Sequence, residues 1–221
     1  MHGKKTAFLV DFKRVKELRQ KEYVRSAEKL YESLFQFIQT EMNLREKVRA
    51  KHMFRELCGI EKERQLTSFE EMHFEHWLMF DYITVIGSRP LDLYIRAKKE
   101  KMQAKLVETA GLFMLMYLAP YRVEKREAGT LILLDDEQNR RKVQPLGEPV
   151  DAEEGDMILA RISTVGFESM MVGPVIRISG ENEDTVMEEI NDKKDDGRKA
   201  YHRFMKEMGV KYLHCHSSRN S

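Results

Sequence analysis

His73 and His76, three residues apart in the stretch HFEHW, are the first residues whose spacing invites chemistry. A three-residue step on a helix can bring two imidazoles to one metal ion. The zinc-protease pattern instead needs the second histidine four residues on and a glutamate directly after the first, and position 74 here is Phe. Packing or capping histidines are therefore the expectation. Asp135, Asp136 and Glu137, with Asp81 and Asp92 elsewhere, are carboxylates of the kind that hold a hard cation, although acids in a polar turn are ordinary. The sequence contains no glycine-rich phosphate loop, no nucleophile elbow and no Ser-His-Asp pattern. Cys58 lacks the local signature of a nucleophile and reads as a structural thiol.

A second chemistry is charge. Arg45, Lys47, Arg49, Lys51 and Arg55, followed by Lys62 and Arg64, could neutralise phosphates with a salt-dependent affinity. Glu46, Glu56, Glu61 and Glu63 are interleaved with them, as on a solvated helix face. Arg140, Arg141 and Lys142 form another basic spot, where Tyr121 and Phe167 are the aromatics available for stacking on bases.

These residues need elements to position them. The centre of the chain is residues 69–94, with the single tryptophan, Trp77, and the densest aromatic run. Phe69, Met72, Phe74, Trp77, Leu78, Phe80 and Tyr82 cover most sides of a helix, which predicts burial on more than one face. Trp77 is expected to join helices to strands. Before it, residues 11–41 read as one amphipathic helix with Leu18, Val24, Ala27, Leu30, Leu34 and Ile38 inward. A basic helix follows, capped by Asn43 with Glu46 and stopped by Gly59. Ser68 with Glu71 is the expected capping box of the central helix, and Pro90 fits the first turn of the next. Residues 102–118, apolar all round near the end, predict a helix packed on several sides. At Pro120 the period changes: 121–127, 130–134, 140–146, 156–165, 168–172 and 175–179 read as strands, with Ala128-Gly129 as a hairpin turn. Helical spacing returns from Glu181, broken by Gly197, and the end LHCHSSRNS is expected to fray.

Charged residues make 34% of the 221, hydrophobic residues 42%, and the formal net charge is +1, which suits a globular chain without general attraction to polyanions. The balance hides a gradient. Residues 1–66 carry sixteen Lys/Arg against ten Asp/Glu, and residues 151–196 carry four against thirteen. Two cysteines, Cys58 and Cys215, argue against a disulfide scaffold and fit a reducing compartment. The first residues lack the apolar core of a signal peptide, and the longest apolar run, 110–119, is short of the roughly 20 residues of a membrane span. A cytoplasmic location is the expectation.

The tail Gly209-Val210-Lys211-Tyr212-Leu213-His214-Cys215-His216 resembles the second half of the SEC-C zinc motif, the module that ends many SecA translocation ATPases. Its Lys-Tyr and Cys-His fall in register. The Cys-x-Cys of the first half would fall on Phe204 and Lys206, which cannot supply thiolates. His202, His214, Cys215 and His216 are then weak candidate ligands, and the expectation is no stoichiometric zinc and no cofactor. Residues 74–180 resemble the uncharacterised bacterial domain found in SEC-C-containing proteins, through HFEHWLMFDY at 73–82, Pro90-Leu91 with Tyr94, Pro120-Tyr121-Arg122-Val123 and EGDMILAR at 154–161. That resemblance transfers no activity.

The combined expectation is an α+β protein: a helical part over 1–118, a small SH3-like or OB-like β-barrel over 119–180, and a C-terminal helical arm and tail over 181–221. The function expected is a non-catalytic cytoplasmic adaptor whose partner is another protein, with no membrane contact. RNA or DNA binding through residues 45–64 and 140–142 is the alternative, and an enzyme built from scattered acids and histidines is a third.

Overall fold

The computed structural model describes residues 3–147 and 149–217, with side chains from Phe12 onward. Among these residues the chain is α+β, with seven α-helices and a six-stranded mixed sheet. Helix α1 (Gly3–Glu41) buries Ala27, Leu30, Leu34 and Ile38, the three- and four-residue steps of one helical face. Leu18, expected inward, is instead exposed, because the rest of the molecule meets α1 only from about Gln20 onward. Helix α2 (Leu44–Cys58) starts where the Asn43 side chain accepts the Arg45 N–H and stops at Gly59, whose φ of 66° lets its N–H reach back to Arg55 and Glu56 carbonyls. Glu46 does not return to that cap. It accepts from Tyr82 Oη and Arg49 Nη1 instead.

Helix α3 (Ser68–Phe80) opens with a capping box one residue earlier than expected, Thr67 with Glu70. Glu71 is thereby free to pair with Lys51 across to α2, at 2.5 Å. Phe74, Trp77, Leu78, Met79 and Phe80 are buried, while Met72 faces solvent. Helix α4 (Pro90–Lys98) has Pro90 in its first turn and buries Leu91 and Tyr94. Helix α5 (Ala104–Leu115) is shorter than its apolar run. Leu106, Ala110 and Phe113 point inward, but Met114 and Leu115 are exposed, so the expectation of packing on several sides fails for its last turn. The chain must leave the helix there because Leu118 already belongs to a strand.

That strand, β1 (Leu118–Glu127), turns through Ala128 and Gly129, at φ of 29° and 83°, into β2 (Thr130–Leu134). Strands β3 (Arg140–Leu146), β4 (Met157–Val165), β5 (Glu168–Val172) and β6 (Ile176–Ile178) complete the sheet. The order is β1-β2-β3-β5-β4-β6, with β3 and β5 parallel, and β1 pairs β4 as well as β2. Strand β4 is apolar on both faces. Met157 and Leu159 join the large core shared with the helices, while Ile158 and Ala160 join a second cluster with Val123, Leu131, Leu133, Val143 and Met171.

Helices α6 (Gly180–Asp195) and α7 (Arg198–Met208), separated by Gly197 at φ 96°, add Val186, Ile190, Tyr201 and Met205 to the large core. The tail does not fray where expected. Gly209–Cys215 is a 3₁₀ helix with Val210, Tyr212, Leu213 and Cys215 buried. The Cys215 carbonyl accepts from Ser179 N–H, the Arg177 carbonyl accepts from Ser217 N–H, and Cys58 Sγ donates to the Val210 carbonyl. Residues 218–221 of the expected frayed end lie outside the described residues.

Candidate interaction groove

Three helices, α1, α2 and α3, line an open cleft of ≈ 230 Å³. Its floor is apolar: Phe74, Leu78 and Met79 from α3 with Phe35 and Ile38 from α1. Residues 71, 75 and 78 or 79 recur at three- and four-residue steps, so the cleft follows one face of α3 for about two turns. Val48 stands at the lip, 63% exposed, and Leu44 one turn earlier on α2 is 73% exposed. One wall is cationic. Lys47 Nζ donates to the Gln39 carbonyl at 2.7 Å, and Lys51 lies 5.7 Å from the Phe74 ring centroid while paired to Glu71. Glu71, the partner of Lys51, and Glu75 line the cleft as well. Burial, and then the neighbouring Glu71, pushes the Glu75 carboxyl above its ordinary range, with Lys51 pulling the other way. No cysteine, serine or histidine is among the described residues that line the cleft, which is an apolar bed edged by charges of both signs.

The basic residues anticipated as phosphate contacts are distributed by this architecture. Arg49 Nη1 donates to Tyr82 Oη at 2.6 Å and to Glu46, Arg55 Nη1 donates to the Glu61 carbonyl, and Arg64 forks onto Glu70. Lys47 and Lys51 belong to the groove wall, and Arg140 is paired with Glu124. Arg45, Arg141 and Lys142 are exposed and make no ion pair among the described residues. Lys62 is exposed as well. Of the stacking aromatics, Tyr121 is half-buried, while Phe167 sits in the β4–β5 turn under Lys16 and against Tyr23.

The histidines and cysteines do not converge. His202 stacks on Tyr117, His214 Nδ1 faces the Lys211 carbonyl, and Cys215 is buried. His216 stacks on Phe69 and accepts the Arg177 N–H through Nδ1 at 3.2 Å. Among the described residues no group of three or more His, Cys, Asp or Glu could hold a metal ion. Asp135 instead caps its own turn by accepting from Glu137 and Asn139 N–H, Asp136 pairs with Lys194, and Asp92 accepts from Arg89 N–H. Burial pushes the Cys58 thiol up to about 12, which keeps it protonated. Burial, and then Glu189, raises Cys215 as well.

His73 and His76 are both buried on α3. His76 Nδ1 donates to the Met72 carbonyl at 2.7 Å and Nε2 accepts from Tyr31 Oη at 2.6 Å, which fixes a neutral ring. Desolvation holds His76 down to about 3 and His73 well below its ordinary value. Between them and the sheet lies an ion pair that sequence reasoning missed, Arg161 of β4 with Asp81 at the end of α3, both fully buried. A signal for it was present. In the alternation of MILARISTV, Arg161 falls on the same face as Met157 and Leu159, which is buried against the helices.

Comparison with known protein families, with curated proteins and with solved structures finds no match for this chain.

Proposed function

We propose that this chain is a non-catalytic binding protein whose groove between α1, α2 and α3 receives an amphipathic helix of a partner protein. The observation that carries the reading is the open apolar floor edged by charges of both signs, with Val48 exposed at its lip and Leu44 exposed one turn away on α2. A helical partner suits a bed formed by three helices, because a fourth apolar stripe can settle along the ridges of α3. Met79 gives the floor a side chain that adjusts its shape. Lys47 and Glu75, with the Lys51–Glu71 pair, would orient such a helix through its flanking charges. The two cysteines, unpaired and buried, support a working place in the reducing cytoplasm.

The sheet fits a supporting role. Its pairings run β1-β2-β3-β5-β4 and back to β1, and the second apolar cluster would lie inside that ring, which supports reading it as a small OB-like barrel. Such a barrel, with Arg141 and Lys142 exposed on β3, is what favours a nucleic-acid contact as the second reading.

One pair of surface variants separates the two. Leu44→Glu with Val48→Glu alters exposed side chains and leaves the floor intact. Proteins retained by the wild type at high salt and lost by this variant are expected, and an unchanged set of retained proteins overturns the groove. Arg141→Glu with Lys142→Glu tests the alternative. A steep fall of RNA or DNA binding with salt that this variant abolishes would place function on the barrel instead.

A further inference from the structure

We propose that the exposed end of α1, Phe12 to Lys21, is a docking element for an anionic lipid surface. Helix α1 is buried only from Ala27 onward, and every residue from Phe12 to Arg19 is exposed. The helix leaves the body at a defined place. The Gln20 side chain donates to the Val165 carbonyl at 2.9 Å and accepts the Phe167 N–H at 2.8 Å, clamping the β4–β5 turn. Beyond that clamp Lys16 reaches back over the Phe167 ring, but among the described residues no element covers Phe12 to Arg19, and this stretch is not polar all round. Phe12, Val15 and Leu18 are 64%, 43% and 54% exposed, and their three-residue spacing lays them along one slanting stripe.

The charges around that stripe decide its occupant. At 3.6 residues per turn, Arg14 and Lys21 flank it on one side, Lys16 flanks the other, and Arg19 lies beside Val15, while Glu17 falls on the opposite face. The segment 12–21 carries five cations, Lys13 among them, and one acid. An apolar stripe bordered by cations whose long stems can reach outward is the pattern of a helix lying in the plane of a membrane, its apolar side sunk to the headgroup boundary and its cations at lipid phosphates and carboxylates. A nucleic acid would engage the cations and leave Phe12, Val15 and Leu18 in water. A second copy of the same helix, paired antiparallel about Val15, would bring each flank against its own copy and so set Arg14 near Arg14 and Lys16 near Lys16. That no helix among the described residues is long and apolar enough to cross a membrane does not bear on this, since an interfacial helix needs a face and not a length.

The test is co-sedimentation of the full chain with vesicles of phosphatidylcholine alone and of phosphatidylcholine mixed with phosphatidylserine. Binding is expected to the mixed vesicles and to weaken by about fivefold for each cation removed, as in Arg14→Gln and Lys21→Gln. Phe12→Ser with Leu18→Ser keeps every charge and alters only exposed side chains, so it is expected to melt like the wild type and to lose binding at least about tenfold. A Phe12→Trp variant gives a second readout: its emission is expected to shift blue on adding the mixed vesicles, against the constant background of buried Trp77. Absence of binding to the mixed vesicles overturns the proposal. So does a Phe12→Ser, Leu18→Ser protein that binds as well as the wild type, or a Phe12→Trp protein whose emission stays red, since either leaves a purely ionic contact such as nucleic acid. The groove variants Leu44→Glu and Val48→Glu should not alter vesicle binding, which keeps this test independent of the partner-helix reading.

Discussion

Removing the carboxylate of Asp81 should do more damage than removing the whole ion pair it belongs to. Arg161 is 0% exposed and Asp81 is 1% exposed, so neither charge has recourse to water. The pair is incompletely satisfied. Arg161 Nη2 donates to Asp81 Oδ2, but Arg161 Nε and Nη1, Asp81 Oδ1 and the neighbouring Ser163 Oγ have no hydrogen-bond partner among the described residues. Burial pushes the Asp81 carboxyl above its ordinary range, with Arg161 and the more distant Lys206 and Arg89 pulling it down. Asp81→Ala leaves a guanidinium buried against α3 with nothing to offset it, a loss of about 3–5 kcal/mol. For a chain of this length about 2–4 °C of melting temperature goes with each kcal/mol, so a fall of about 6–20 °C is expected. Arg161→Met with Asp81→Leu removes both desolvation costs and fills similar volume, and should return to within about 1 kcal/mol of the wild type or exceed it. The assay is the four-protein cycle by denaturant titration, with the slopes compared to confirm a common unfolded state. The reasoning fails if Asp81→Ala costs under about 1 kcal/mol, or if the double variant is as unstable as the two single losses added together.

The buried histidines make stability fall with acid. A folded-state value below the unfolded one means that the unfolded chain binds protons first, so stability is full above about pH 6.5 and declines as pH falls toward the value of about 3 held by His76, by about 1.4 kcal/mol per pH unit for each such group. His73 adds in the same direction, and a His76→Gln protein should show a shallower acid slope in urea titrations between about pH 6.5 and 4.5; an unchanged slope would remove His76 from the account. Gly173→Ala should be severely destabilising, because Gly173 holds φ at 80° and a Cβ there would meet the His76 ring at 2.1 Å. That ring is pinned at both nitrogens and cannot turn away, so a loss of several kcal/mol is expected by thermal melting, and a melting temperature within about 2 °C of the wild type would show that the ring does move.

What the sequence makes legible here is whatever depends on local period and local caps. Asn43, Gly59, Pro90 and Gly197 mark helix ends through chemistry that acts within a few residues, and the structure places the ends there. Strands 130–134, 140–146 and 168–172 carry their turns beside them and fall at the expected bounds. The failures are non-local. Whether Thr67–Glu70 or Ser68–Glu71 closes the box of α3 depends on Lys51, on the preceding helix, drawing Glu71 away. Leu18 and Leu115 are apolar at helical spacing and yet exposed, because burial requires a neighbour and the neighbours end at Gln20 and at the start of β1.

The groove is illegible for the same reason, and that bears on the role proposed for it. None of Phe35, Val48, Glu75 or Met79 differs in kind from the residues around it; the cleft exists because three helices each supply part of its lining. The positions of those helices are held by contacts made elsewhere: Tyr31 on His76, Arg49 on Tyr82, and Cys58 on Val210 of the tail. The 3₁₀ tail therefore supports one end of α2, and the polar seam of His76, Asp81 and Arg161 fixes α3 against β4. A partner helix entering the groove would meet walls whose positions are set by buried hydrogen bonds, so little ordering would be left to oppose its binding. That places the cost of preorganisation in the unsatisfied atoms of Arg161 and Asp81, where folding has already met it.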